Sequence, residues 1–261
     1  TRLMADGAGQ RLTIQATGNL LMGNITPDVG VGALSLPATA VVLEAAKALS
    51  LTAGGLLQLG GDALLYAKED NATLTLRGQT VRLAGSAFAG AYFNVNAAAN
   101  ADPTVWSGKG ALLDVRANDG LEIGGKALRM DNGSPAHAVL VDAPAVMQAT
   151  GEVRLRSGVA GLLVGAAAAV RADATGGGRW ADTTNVLATP DGLINMRSDG
   201  LLAVNGIVNA LDHGSDATLH AEGRVYIQGL VRASDQLSIE AGTHSSGISL
   251  VVNKVLASDN T

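Results

Sequence analysis

The sequence predicts an all-β fold, a right-handed parallel β-helix (a β-solenoid) with about twenty residues in each coil. Three observations favour this fold. A degenerate phrase of about a dozen residues recurs along the chain, apolar residues alternate within it, and Gly, Asn or Asp punctuate its corners. Alternation with period two is typical of strands that bury one face. Recurrence of such strands at a regular interval is typical of a solenoid.

The recurring phrase is clearest at Leu49–Gly60, LSLTAGGLLQLG, and at Leu74–Gly85, LTLRGQTVRLAG. Further copies begin at Leu12, Leu113, Val153, Ile194, Ala217 and Leu237. Successive starts are 37, 25, 39, 40, 41, 23 and 20 residues apart. We interpret intervals near forty as two coils, the second one degenerate, with Val139–Ala143 as an example. This interpretation predicts about eleven coils and a rod about 5 nm long at ~4.8 Å per coil.

The chain is expected to form one solenoid segment over residues 1–261. Within it, Ala38–Leu49 has helix-forming residues but also matches the strand phrase, and we interpret it as a strand. Two stretches break the rhythm, near 86–110 and near 171–191, and they contain both tryptophans, Trp106 and Trp180. Loops that leave a solenoid are places where specific contacts are made. The other interpretation is that these aromatic side chains cover the coil beneath them.

Two other all-β architectures are less compatible with the pattern. A β-sandwich favours longer strands and more aromatic residues than the 3% found here. A propeller repeats at about 40 residues, but the shorter intervals do not suit its blades. The core is instead expected to consist of thin layers of Ala, Val, Leu and Ile, since 47% of the residues are hydrophobic.

Composition also limits the function classes. The net charge is −5, which gives no reason to expect a nucleic-acid partner. The chain has no cysteine, so disulfides and thiol chemistry are excluded. No apolar run approaches the ~20 residues of a transmembrane helix. The chain starts at Thr1 without a leader, as a piece of a longer protein would.

The phrases at 49–60 and at Leu237–Gly242, LSIEAG, resemble filamentous-haemagglutinin-type repeats. These repeats occur in large adhesins and contact-dependent toxins that Gram-negative bacteria export by two-partner secretion. The resemblance covers most of the chain, although the Asn-Pro-Asn-type motif of the secretion domain is absent. It implies a secreted or cell-surface location and a β-helical shaft that holds distal binding or effector regions away from the cell.

A regularity in charge accompanies the repeat. Four copies carry arginine at the fourth position of the phrase, namely Arg77, Arg116, Arg156 and Arg197. With two coils per interval, these arginines form an outward column about 10 Å apart, near the Debye length. Such a column could bind an acidic polysaccharide. The alternative, which we favour on the sequence alone, is a solvated face whose arginine stems shield the sheet.

An enzyme is the main alternative of another class, as a carbohydrate-active β-helix such as a polysaccharide lyase or a phage tailspike depolymerase. It requires convergent carboxylates. Asp191 and Asp212 are 21 residues apart and could stack, with His213 alongside. Corners are rich in Asp for conformational reasons alone, however. The four histidines show no metal-binding spacing, so we predict no catalytic residues, no metal and no cofactor.

The sequence therefore predicts a structural and adhesive shaft segment. Cell-surface glycans or proteins are the expected partners. Neither end shows a polar cap, and the chain stops at the strand-like Val251–Leu256. Solenoid ends normally require a cap or a continuing chain, so self-stacking or continuation beyond the termini is expected.

Overall fold

The computed structural model describes residues 1–23, 41–93, 104–130, 138–142, 145–172, 192–210, 214–242 and 249–252. For residues 91–93, 104–107, 126–130 and 138–142 the description is limited to the backbone. Within these ranges the protein is all-β and contains no helix. The predicted fold class is confirmed, since three sheets of parallel strands stack in sequence order as in a parallel β-helix.

The strands of the described residues are short because small or polar corner residues interrupt them every few positions. In chain order they are β1 Arg2–Ala5, β2 Arg11–Ala16, β3 Leu20–Met22, β4 Val41–Ala45, β5 Ala48–Ala53, β6 Leu56–Leu59, β7 Ala63–Ala67, β8 Thr73–Gly78, β9 Thr80–Leu83, β10 Ser86–Ala89, β11 Ala91–Phe93, β12 Thr104–Ser107, β13 Leu112–Ala117, β14 Gly120–Ile123, β15 Lys126–Met130, β16 Ala138–Asp142, β17 Val146–Ala149, β18 Glu152–Ser157, β19 Gly161–Val164, β20 Ala169–Ala172, β21 Leu193–Ser198, β22 Leu202–Val204, β23 Ile207–Ala210, β24 Asp216–Ala221, β25 Val225–Ile227, β26 Leu230–Ala233, β27 Leu237–Ala241 and β28 Leu250–Val252.

Three eight-stranded parallel sheets form the faces of the solenoid. Sheet A has the order β1-β4-β7-β10-β17-β20-β23-β26, sheet B has β2-β5-β8-β13-β18-β21-β24-β27, and sheet C has β3-β6-β9-β14-β19-β22-β25-β28. The chain visits A, B and C in turn, so one strand from each sheet makes a coil. The segment interpreted as a strand despite its helix-forming residues contributes β4 and the start of β5.

The described residues form eight coils, and the expectation of eleven is wrong. Leu113 pairs directly with Leu74 on one side and with Val153 on the other, so each interval near forty is a single coil. The extra residues lie in excursions between the sheets. Seven steps of ~4.8 Å give a sheet about 34 Å long, shorter than the 5 nm expected.

The excursions include two antiparallel hairpins. Strands β15 and β16 pair with each other, with Leu128 opposite Leu140, so the Val139–Ala143 stretch is not the degenerate coil that we expected. Strands β11 and β12 pair in the same way, within the break predicted near 86–110. Ser86–Ala89 at the start of that break is a regular strand of sheet A. Most of the break near 171–191 lies outside the described residues.

The core follows from the strand period. In sheet B, Leu49, Leu74, Leu113, Val153 and Ile194 occupy one inward column, and all five are fully buried. Sheet A contributes a column of alanine, one from each coil, which are Ala5, Ala45, Ala67, Ala89, Ala149, Ala172, Ala210 and Ala233. Stacks of equivalent side chains make thin layers that each contact only the neighbouring coils.

The corner between sheets B and C, the B–C corner, is the most regular part of the molecule. In the first seven coils it consists of one to three residues. The long excursions lie instead on the two sides of sheet A, after β3, β10, β14 and β20. The outer edge of sheet B next to the B–C corner is therefore a continuous surface along the first seven coils.

Candidate functional site

The four arginines singled out in the sequence are direct cross-strand neighbours. Arg116 lies opposite Arg77 on β8 and opposite Arg156 on β18, and Arg156 lies opposite Arg197 on β21. Their expected separation of 10 Å is therefore wrong. Adjacent strands of a sheet are ~4.8 Å apart, well inside the Debye length. We refer to Arg77, Arg116, Arg156 and Arg197 as the arginine ladder.

The strand period places these four side chains on the surface. In β13, Leu113, Val115 and Ala117 are buried, and Arg116 between the last two is exposed. The other three strands repeat the same pattern, with an exposed arginine at the fifth of six positions. Each arginine is thus the last outward residue before the short B–C corner.

The two outer arginines of the ladder are neutralised by neighbouring carboxylates. Arg77 contacts Asp114 at 3.3 Å, and Arg197 contacts Glu222 at 3.1 Å. Among the described residues, neither Arg116 nor Arg156 has an ion-pair partner. The centre of the ladder is therefore its most strongly cationic part.

Two shallow depressions run beside the ladder on the side of the B–C corner. One, of about 320 Å³, lies between Arg77, Arg116 and Asn118. The other, of about 240 Å³, lies between Arg116, Arg156, Arg197 and Asp199. Because both share Arg116 and Asn118, they are consecutive parts of one trough. The trough offers guanidinium donors together with polar corner groups.

The column of the ladder continues in both directions with different chemistry. Beyond Arg77 it contains Thr52 and Gln15, which are uncharged. Beyond Arg197 it contains His220 and Glu240. The ladder is therefore followed by neutral residues at one end and by titratable residues at the other.

His220 lies between two carboxylates. Its Nδ1 is 2.9 Å from Oε2 of Glu240, and its Nε2 is 3.1 Å from Oε1 of Glu222. Hydrogen bonds to Glu240 and to Glu222 raise the pKa of His220 above its ordinary value of 6.5. Hydrogen bonding and charge from His220 lower the pKa of Glu222 below 4.5. Only the imidazolium form can donate from both ring nitrogens, so this geometry fits the protonated histidine.

Other charged groups are paired in ways that suit a structural role. Arg154, one column from the ladder, binds Glu152 with two contacts of 2.9 and 2.6 Å. On sheet A, the buried Glu44 contacts Lys68 and lies 2.8 Å from Arg2. Burial, with the charge of Arg2, lowers the pKa of Lys68. These charges neutralise one another within the fold.

The two tryptophans proposed for surface contact are not located by the side-chain description. Trp106 lies in β12, where only the backbone is described, and Trp180 lies outside the described residues. The carboxylates weighed for an enzyme, Asp191 and Asp212, and the adjacent His213 also lie outside them. Of the described residues that line the trough, Asp199 is the only carboxylate. The described part of the chain holds no cluster of three potential metal ligands.

Several residues of this surface were missed from the sequence. His220 and Glu240 occupy the fourth position of the copies beginning at Ala217 and Leu237, so extending the arginine column to every copy would have found them. Asn118 and Asp199 are corner residues, and no signal distinguishes them from other turn residues.

Comparisons with protein-family models, with curated proteins and with solved structures found no match. In the described ranges there is no helix that could cross a membrane.

Proposed function

We propose that this chain is a structural and adhesive shaft segment that binds acidic polysaccharide along the arginine ladder. The observation that carries the proposal is the placement of four arginines on four consecutive parallel strands. Guanidinium groups bind carboxylate and sulfate oxygens with two parallel hydrogen bonds. A row of them presents a repeated binding unit to a repeated ligand.

The charge pattern supports ligand binding over a merely solvated face. Like charges directly opposite each other destabilise a sheet, whereas opposite charges stabilise it. The adjacent column follows the favourable rule, because Asp114 lies opposite Arg154. The ladder breaks this rule three times in succession, in a chain whose net charge is −5. Such local repulsion is relieved when an anionic ligand binds.

The groups beside the ladder favour a polysaccharide among polyanions. Asn118 and Asp199 line the trough and offer an amide and a carboxylate to sugar hydroxyl groups. The described lining residues include no aromatic side chain on which a nucleic-acid base could stack. Acidic polysaccharide is therefore proposed, and nucleic acid becomes an outcome of the test.

The shaft role is supported by the uninterrupted stacking of eight coils and by the repeat phrase that resembles secreted adhesins. We propose a location outside a Gram-negative cell, where acidic glycans are encountered. Immunodetection of the protein in culture supernatant or on intact cells tests this location. Detection only inside the cell would contradict it.

Binding is tested by titrating the protein with polygalacturonate, dextran sulfate and neutral dextran at low salt. The variant Arg116→Ala/Arg156→Ala removes the two arginines that lack a carboxylate partner. We expect it to lower affinity for the acidic polymers about tenfold, or ~1.4 kcal/mol. Neutral dextran is expected not to bind.

The matched control is Arg82→Ala/Arg154→Ala. It removes the same charge from positions outside the ladder, where Arg82 lies 3.9 Å from Glu122 and Arg154 pairs with Glu152. Its affinity is expected to stay within about threefold of the parent. Equal losses in both double variants, or no binding of either acidic polymer by the parent, would overturn the proposal. Equal affinity for a single-stranded oligonucleotide of the same charge would overturn the assignment to polysaccharide.

A further inference from the structure

The two ends of the arginine ladder are chemically different. Toward the first coil, the next outward residues in the column are Thr52 and Gln15, which carry no charge. Toward the last coil, His220 and Glu240 follow Arg197, and Glu222 approaches from the B–C corner. The column thus passes from neutral to cationic to net acidic along the solenoid.

The acidic end concentrates two carboxylates around one histidine. Glu222 binds both Arg197 and His220 through the same oxygen, at 3.1 Å in each case. Glu240 is 66% exposed and lies 2.9 Å from His220. An acid group of a ligand placed on this coil would therefore face two carboxylates and at most one additional cation.

The trough gives the ligand a direction. Its two depressions follow each other across successive strands, from Thr52 and Arg77 at one end to Arg197 and Asp199 at the other. Ladder positions on successive strands are ~4.8 Å apart, so the four arginines span about 14 Å along the solenoid axis. A ligand that contacts all four must lie along this axis and across the strands.

We infer that a linear acidic polysaccharide lies along the solenoid axis with one end stopped at the His220–Glu222–Glu240 cluster and the other free to extend over Thr52 and Gln15. The inference rests on the proposed function. It adds a binding direction and an asymmetric length dependence. Short acidic oligomers occupy the ladder, and longer ones grow only toward the first coil.

The test uses oligogalacturonates, a tetramer and an octamer, with the variant Thr52→Arg. This substitution adds one cation where the ligand is expected to extend. We expect affinity for the octamer to rise about three- to tenfold and affinity for the tetramer to change less than twofold. The control Ser50→Arg places the same charge on the same strand, one column away, and is expected to change octamer affinity less than twofold.

A second variant examines the stop at the other end. Glu240→Gln removes one carboxylate without touching a ladder arginine, and it is expected to raise octamer affinity about two- to threefold above pH 7 while leaving the tetramer unchanged. If the parent binds neither oligomer, the proposed function and this inference both fail. If the parent binds both but Thr52→Arg behaves like Ser50→Arg, or Glu240→Gln changes nothing, the inference fails and the proposed function stands.

Discussion

At the scale of single residues, the position of each ladder arginine is explained by strand period, but its neighbours are not. Exposed positions on the outer face of a sheet accept many polar residues, and the same column holds Gln15 and Thr52 in the first two coils. Four arginines in succession therefore cost folding stability, since like charges opposite each other are unfavourable. Residues kept at such a cost are typical of binding sites.

Arg156→Thr is expected to stabilise the fold, because it removes one charge from between Arg116 and Arg197 and supplies a residue suited to strands. The free energy of unfolding should rise by about 0.5 kcal/mol at low salt. The gain should shrink at high salt, where the repulsion is screened. Urea denaturation at two salt concentrations measures both effects.

The control for this stability change is Arg154→Thr on the same strand. Arg154 makes two hydrogen bonds with Glu152, so its loss is expected to destabilise the protein slightly. A loss of stability in Arg156→Thr as large as that in Arg154→Thr would contradict the account of repulsion within the ladder.

The cluster around His220 predicts a pH dependence of stability. Because the pKa of His220 is raised on folding, its contribution is fully present below pH 6.5 and is lost as pH rises through the folded value. Because the pKa of Glu222 is lowered on folding, its contribution is present above pH 4.5 and is lost as pH falls through the folded value. The cluster therefore stabilises most between pH 4.5 and 6.5.

His220→Gln isolates the histidine contribution. The difference in unfolding free energy between the parent and this variant should be larger between pH 4.5 and 6.5 than about two units above that window. Urea denaturation across this range checks the prediction. A difference that stays constant with pH would show that the two carboxylates do not favour the imidazolium.

At the scale of elements, the B–C corner requires glycine where successive coils approach each other. A Cβ on Gly158 would collide with the backbone carbonyl of Asn118 in the preceding coil. Gly158→Ala is therefore expected to cost about 1–3 kcal/mol of unfolding free energy, as overpacking does. Gly18, a corner glycine of the first coil, has no atom within 4 Å of an added Cβ.

Gly18→Ala is the matched control and should change stability by less than ~0.5 kcal/mol. Urea denaturation of both variants makes the comparison. Equal effects would indicate that chain entropy alone, rather than close stacking of the coils, determines the cost at this corner.

Sheet B was predictable from the sequence in detail, because the eight starts of the recurring phrase fall in one column from Leu12 to Leu237. Sheet A was missed because its strands are short and rich in alanine. They do carry a signature, an apolar residue, any residue and alanine, as in Leu43–Ala45, Leu65–Ala67 and Val231–Ala233. One copy of that signature per coil would have given eight coils instead of eleven.

The coil count failed for a physical reason. An inserted hairpin such as β15–β16 has the same alternation of apolar residues as a coil strand, so period alone cannot separate the two. The separation of the arginines depended on that count. The column itself was predictable from spacing, but the closeness of its members and the trough beside them required the pairing of strands.

At the scale of the whole molecule, the placement of the excursions determines which face is available. The long excursions lie on the two sides of sheet A, and the first seven B–C corners contain one to three residues. The ladder lies along this regular edge. A solenoid with eight stacked coils thus presents the same outward position to solvent at a spacing of ~4.8 Å, and charge placed there becomes a linear array.

Ligand binding, charge repulsion and the binding direction all depend on one claim, that Arg116 and Arg156 are neighbours although forty residues separate them. The chain has no cysteine, so a pair introduced at these positions reports on distance without interference. Disulfides form when Cα atoms are about 4.4–6.8 Å apart and do not form beyond ~7 Å without backbone movement. Oxidative cross-linking of Arg116→Cys/Arg156→Cys, measured by intact mass and by mobility on non-reducing gels, is the most direct test. The account predicts a disulfide in this variant and none in Arg77→Cys/Arg156→Cys, whose sites are two strands apart; no disulfide in the first variant, with its cysteines reduced and accessible, would contradict it.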